Sequence, residues 1–248
     1  MSTILEIKSL RKTFGEKTVV DGLSFEVNEG EILGFLGPNG AGKSTTISMI
    51  TTILDSDEGK VFFEGREVDH KDKEFKKALG YVPQDIALFN DLTAYENVKF
   101  FASLYGIKGE YLKDRVKETL ELVGLYDRKN DYPDSFSGGM KRRLNIACSI
   151  VHKPKILIMD EPTVGIDPQS RNNILEVTKS LRDEGTTVIY TSHYMEEVEA
   201  ICTRLIILDE GNIVESGYKE DIKVKYKEKG LNNLEEIFLY ITGKELRD

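Results

Sequence analysis

Apolar and polar positions alternate in short runs along the first part of the chain, at residues 4–10, 23–27 and 32–36, and the runs are broken by Gly15, Asp21-Gly22 and Glu29-Gly30. Alternation of period two between turn residues predicts strands, so the fold opens with a sheet. After Gly37 to Gly42 the alternation stops. Ile47, Ile50 and Leu54 lie at helical spacing within residues 44–54, which places a strand, a loop and a helix in succession, half of a βαβ unit. Further strands are expected at 61–63, 80–82, 156–160, 188–191 and 205–208, the later ones alternating with helical stretches. That order predicts an α/β fold with a parallel sheet and helices on its faces.

The pattern changes between Leu88 and Ser137, where no run reads as a strand and two helices are predicted instead. Thr93 with Glu96 makes a capping box for a helix reaching Tyr105, and residues 108–123 give the second. This stretch is expected to form an inserted helical subdomain. The chain turns helical again over 219–229 and 234–242.

Composition narrows the function classes. With 40% apolar and 31% charged residues in 248, the chain sits in the globular range, so disordered and fibrous readings fall away. Lys and Arg number 34 against 43 Asp and Glu, a net charge of −9, which suits phosphate-backbone contacts poorly; no nucleic-acid partner is expected. No run approaches the roughly 18 apolar residues of a membrane helix. The start of the chain carries Glu6, Lys8, Arg11 and Lys12, so it lacks the apolar core of a secretory signal. Cys148 and Cys202 are too few for a disulfide framework and are not spaced as metal ligands; both read as buried thiols in a reducing cytosol.

Chemistry enters with Gly37-Pro38-Asn39-Gly40-Ala41-Gly42-Lys43-Ser44-Thr45, the phosphate-loop pattern of two glycines followed by Lys and Ser. Glycines let backbone N–H groups turn inward toward phosphate oxygens, and the helix starting near Ser44 adds the positive end of its dipole. Lys43 then supplies a point charge for the β- and γ-phosphates, and the Ser44 hydroxyl is placed to ligate Mg²⁺. The apolar run Ile156-Leu157-Ile158-Met159 ends in Asp160-Glu161-Pro162, as expected when a buried strand delivers carboxylates beside a phosphate loop. Asp160 would hold the Mg²⁺ shell and Glu161 would act on the attacking water as general base. A GTPase would also need a guanine-reading Asn-Lys-x-Asp, which the sequence lacks.

Phe136-Ser137-Gly138-Gly139-Met140-Lys141 precedes the helical stretch 142–151, shortly before Asp160. This resembles the signature sequence of ATP-binding cassette (ABC) ATPases, and other motifs follow in that family's order. Gln84 after Pro83 is similar to its Q-loop, Gly165-Ile166-Asp167 to its D-loop, and His193 to its switch histidine. Met140 stands where the family most often has Gln, which removes a side-chain amide. The resemblance implies a P-loop NTPase cassette with a RecA-like parallel-sheet core. Residues 1–86 would hold an N-terminal antiparallel β subdomain and the first part of the core, 87–138 an α-helical insertion, 139–217 the rest of the core and 218–248 a C-terminal helical extension.

It implies a mechanism too. Ser137, with the Gly138 and Gly139 amides, would form a second anion nest that contacts the γ-phosphate held by another copy, so two copies would sandwich two ATP molecules head to tail. His193 would touch the γ-phosphate, Asp167 would communicate across the dimer, and Gln84 would sense Mg²⁺ and the attacking water. Phe14 stands where the family usually has an aromatic residue stacked on adenine; a core aromatic on a strand is the competing reading.

The segment 191–200, the run 234–238 and Thr242-Gly243-Lys244-Glu245-Leu246-Arg247 resemble ATPase subunits of prokaryotic type-two ABC exporters. That branch implies integral-membrane permease subunits as partners, a place at the cytoplasmic face of the membrane, and docking through the helical insertion. In its first helix Tyr95, Val98, Phe101, Ala102 and Tyr105 form a stripe that reads mainly as core packing, with any exposed aromatic near Gln84 suited to a partner helix. The alternative is a soluble ABC ATPase of repair, translation or cofactor assembly, whose usual coiled-coil insertion or second cassette is not seen. A noncatalytic cassette would have lost Lys43, Glu161 or His193, and all are present.

Overall fold

The computed structural model describes residues 2–243. Met1 and residues 244–248, which include the end of the exporter-like run, lie outside the described residues. In chain order the elements are β1 (Thr3–Phe14), β2 (Lys17–Asn28), β3 (Ile32–Leu36), α1 (Lys43–Ile50), β4 (Glu58–Phe63), β5 (Arg66–Val68), α2 (Lys73–Ala78) and β6 (Leu79–Val82). Then come α3 (Ala94–Leu104), α4 (Gly109–Leu122), α5 (Gly138–Ile150), β7 (Ile156–Met159), α6 (Pro168–Asp183) and β8 (Thr187–Tyr190). The last are α7 (Met195–Ile201), β9 (Arg204–Asp209), β10 (Asn212–Tyr218), α8 (Lys219–Lys227) and α9 (Leu234–Thr242). They fall into two compact units, one of the residues up to Lys76 together with those from Thr187 onward, the other Lys77–Thr186.

In the first unit β2, β1, β4 and β5 form an antiparallel sheet in that order. A second set runs β10, β9, β3, β8, with β3 parallel to both β8 and β9. Every residue of β3 is buried, the mark of a strand covered on both faces, which is why its sequence is a continuous apolar run. β9 and β10 meet at Glu210-Gly211, both with positive φ, a two-residue turn whose twist matches the flanking strands.

The second unit pairs β6 with β7 in parallel, from Leu79 opposite Ile156 to Val82 opposite Met159. Helix α5 packs on β6 and on α3, α4 and α6. The predicted capping box is complete: Thr93 Oγ1 accepts from Glu96 N–H, and Glu96 accepts from Thr93 N–H. Below it Ala94, Asn97, Val98 and Ala102 turn inward and are fully buried, while Tyr95, Phe101 and Tyr105 are half-buried. Burial of Val98 contributes about 1.5–3 kcal/mol, and that of each alanine methyl about 0.8 kcal/mol. No residue between Leu88 and Ser137 is in a strand. Among the described residues no helix is long and apolar enough to cross a membrane.

Four elements differ from expectation. β5 and β10 are edge strands with half-exposed, mostly polar sequences, and α2 buries only Phe75, so none carries a strong apolar pattern. The helix after the phosphate loop stops at Ile50 rather than running to Leu54, because the Ile53 and Leu54 amides both turn back to the Ser48 carbonyl.

Candidate functional site

The phosphate-loop residues form a continuous segment between the buried strand β3 and helix α1. A Cβ on Gly37 would sit 2.6 Å from the Leu208 carbonyl oxygen and 2.9 Å from the Ala41 Cβ. Gly42 has φ +98°, and a Cβ there would come within 2.7 Å of the Val19 carbonyl oxygen. Both positions therefore exclude any side chain, whereas Gly40, at φ +79°, has open space and is glycine for its backbone angle alone. The loop is held from outside as well: Gly211 of the β9–β10 turn donates its N–H to the Ala41 carbonyl at 3.1 Å, and Asp21 N–H donates to the Gly211 carbonyl at 3.0 Å.

Lys43 is buried and its ammonium curls back over the loop, donating to the Gly37 carbonyl at 2.6 Å and the Pro38 carbonyl at 3.2 Å. Gly42 caps α1 without any side chain, and the first intrahelical bond is Thr46 N–H to the Gly42 carbonyl. Gly42 thus has no side chain with which to meet the N–H groups of the first turn. Asn39, Gly40 and Ser44 are exposed and Thr45 is half-buried. A glycine-rich loop around one buried cation, running into a helix start that no side chain caps, suits an anion with several oxygens. In the same unit Phe14 ends β1 half exposed, with its ring 5.8 Å from the Lys12 ammonium, so it is not a core aromatic.

In the second unit β7 delivers Asp160 and Glu161, which are 4% and 6% exposed. Asp160 N–H bonds to the Val82 carbonyl, and burial together with the Asp160 charge pushes the Tyr81 hydroxyl up to about 12. Glu161 holds φ at +49°, a conformation that costs a non-glycine residue free energy and is found where a side chain must be aimed.

Ser137 caps α5, its Oγ accepting the Met140 N–H at 3.3 Å, and with Gly138 it is exposed. Gly139 has a different reason to be glycine: a Cβ there would fall 2.1 Å from Ser170 Oγ, so α5 and the start of α6 close on it. Asp167 caps α6, accepting the Ser170 N–H at 2.9 Å, a bond that holds its carboxyl below the usual carboxylate range. Gly139 and Asp167 are thereby brought together; a Cβ on the glycine would be 3.2 Å from Asp167 Oδ2. Gln84 is exposed, and its backbone is tied down from α5: buried Arg142 donates to the Pro83 carbonyl at 2.7 Å and also to that of Gln84.

Sequence reading did not single out the polar residues that fasten this region. Arg142 is one. Asn145 Oδ1 accepts from Ala87 N–H, and Asn97, fully buried on α3, exchanges hydrogen bonds with the Phe89 backbone in both directions. The segment after Gln84 is thus bonded to both the signature helix α5 and the first inserted helix α3. Their polar character inside otherwise apolar helical stripes was the available signal.

On the first-unit side, His193 is half-buried between β8 and α7, in a turn where Tyr194 N–H donates to Ser192 Oγ at 2.9 Å. A cleft of about 690 Å³ at α4 and α6 is lined by Arg115, Lys153 and Glu184 among others, and none of the motif residues lines it.

Residues 20–164 match the family model described as ABC transporter. The chain belongs to the ABC transporter family. The linearmycin resistance ATP-binding protein LnrL of Bacillus subtilis (strain 168) is 51% identical over 219 residues, covering 88% of this chain and 70% of that protein. The Nod factor export ATP-binding protein I of Paraburkholderia xenovorans (strain LB400) is 41% identical over 213 residues, covering 86% and 70%. A solved ATP-binding subunit of an ABC transporter superposes with a TM-score of 0.86 at 28% identity, covering 96% of this chain and 99% of that one. The cbiO1 protein from Clostridium perfringens, part of the transporter complex cbiONQ, gives 0.81 at 27% identity, covering 92% and 96%. The chain is accordingly an ABC-type ATP-binding subunit with the α/β cassette fold, and the family is one of ATPases whose ATP-binding subunits dimerise and work with membrane permeases. The names of the relatives favour the exporter branch over the soluble alternative.

Proposed function

We propose that this cassette hydrolyses Mg·ATP to power an exporter, as a head-to-tail dimer of two copies attached to permease subunits at the cytoplasmic face of the membrane. The observation that carries the reading is the phosphate loop, in which Gly37 and Gly42 are closed to any side chain and the buried Lys43 ammonium bonds to the Gly37 and Pro38 carbonyls. Triphosphate oxygens would take over the donors of the Lys43 ammonium and meet the amides of Gly40, Gly42, Ser44 and Thr45, and Phe14 would stack on the adenine. Ser44 and Asp160 offer hard oxygen ligands that suit Mg²⁺, with Gln84 as a further one, and the ion when bound supplies charge neutralisation at the phosphates.

Glu161, a buried carboxylate held in a strained backbone conformation, would take a proton from the attacking water, and His193 would hold the γ-phosphate. Ser137 and Gly138, exposed at the start of α5, would meet the nucleotide of the second copy, with Gly139 keeping that helix start close to α6 and Asp167 beside it at the dimer face. The helical insertion would receive the permease at the exposed rings of Phe89 and Phe100, which stand 4.9 Å apart edge to face after the Gln84 segment.

Glu161→Gln tests the reading. General-base loss is expected to lower turnover by about 10²- to 10⁴-fold while nucleotide still binds, so Mg·ATP should accumulate a dimer on size-exclusion chromatography. A variant that stays monomeric and hydrolyses ATP at the normal rate contradicts it.

A further inference from the structure

Two glutamates stand side by side on α7, and the fold treats them oppositely: Glu196 is exposed, while Glu197 is 1% exposed. A carboxylate is costly to bury unless donors meet it. Here Ser192 Oγ donates to Glu197 Oε2 at 2.6 Å and the Tyr190 hydroxyl donates to the same oxygen at 2.9 Å. Both donors are buried, and hydrogen bonds to an ionised acceptor are among the stronger ones.

The geometry closes around one residue. Ser192 Oγ, while donating to Glu197, accepts the Tyr194 N–H, so the serine bridges across His193. Glu197 N–H donates to the Tyr194 carbonyl at 3.1 Å, completing a ring of bonds from Ser192 through Tyr194 and Glu197 back to Ser192. His193 lies between Ser192 and Tyr194, the two turn residues that these bonds tie to Glu197. On its far side α7 is fastened to the chain's last helices, with the Lys219 ammonium donating to the Glu199 carbonyl at 2.5 Å and Lys223 paired with the Glu199 carboxylate at 3.2 Å.

We infer that Glu197 is a positioning residue for ATP hydrolysis, fixing the turn that presents His193 through Ser192 and Tyr190. The inference rests on the reading of His193 as the γ-phosphate contact. It makes Ser192 the transmitting group: its hydroxyl joins the carboxylate to the backbone of the His193 turn. Displacement of a phosphate-binding side chain by an ångström is enough for a rate loss of about tenfold to a hundredfold.

The experiment measures Mg·ATP turnover and nucleotide affinity of the full chain for Glu197→Gln, Ser192→Ala, His193→Ala and the Ser192→Ala/His193→Ala double variant, with exposed Glu196→Gln as control. Ser192→Ala removes one hydroxyl and keeps the test valid if Glu197→Gln folds poorly. Expected are about tenfold losses of kcat with unchanged nucleotide affinity for Glu197→Gln and Ser192→Ala, wild-type turnover for Glu196→Gln, and a double variant no slower than His193→Ala alone. A double variant slower than His193→Ala by the full Ser192→Ala factor, or a Ser192→Ala chain at wild-type rate, overturns the inference. His193→Ala at wild-type turnover overturns the underlying assignment of His193 and the inference with it.

Discussion

The cassette contains two glycine-rich segments that each run into a helix, and they are built for different neighbours. In the phosphate loop the chain itself supplies the walls. Gly37 and Gly42 face the carbonyls of Leu208 and Val19, Lys43 is buried, and no side chain caps α1. In the signature segment the helix start is already capped by Ser137, Gly139 is shaped by α6, and Gly138 is exposed with only the Ile166 side chain at 4.0 Å from where its Cβ would be. The first is a cradle closed from within. The second presents an exposed surface, which on the proposed reading a second copy completes. Similar local sequences thus carry different instructions, and the difference lies in what stands behind each glycine.

The largest effects should separate these two designs. Lys43→Ala is expected to weaken Mg·ATP binding by about 10- to 100-fold, the loss of charge-assisted hydrogen bonds, as read by titration with a fluorescent nucleotide. Gly138→Asp should leave binding to the isolated chain unchanged if, as proposed, the segment serves the other copy's nucleotide. Its turnover should fall by at least about a hundredfold through like-charge repulsion. Because an acidic residue in the first helical turn is favourable, thermal stability should not fall. A Gly138→Asp chain that loses nucleotide affinity as monomer would erase the distinction.

A smaller effect divides the two signature glycines. Gly139→Ala brings a methyl onto Ser170 and should cost about 1–3 kcal/mol of stability as overpacking, whereas Gly138→Ala has room and should be neutral in urea denaturation. Equal destabilisation by both would mean that the contact between α5 and α6 is not what selects glycine at 139.

Much of this was legible in the sequence. The phosphate loop could be read because strand, loop and helix are contiguous, and the Thr93–Glu96 capping box because its partners are three residues apart. Ser137 and Asp167 could be named, but their work as helix caps shows only in the geometry. Arg142 could not be read, since the Pro83 and Gln84 carbonyls it holds are remote in sequence. Nor could Glu197 be told from Glu196, because the choice of which carboxylate is buried belongs to the packing of α7 and the hydroxyls of Tyr190 and Ser192. The edge strand β10, half polar and covered on one side, carries too weak an alternation to stand out.

The central claim is that a cradle on one copy is completed by the signature surface of another, and mixing two inactive chains tests it most directly. A head-to-tail pair of Lys43→Ala and Gly138→Asp chains contains one site in which both lesions are absent and one in which both are present. Phosphate release under Mg·ATP should therefore appear on mixing, although each variant alone is inactive. A mixture no more active than the sum of its separate components would contradict the account.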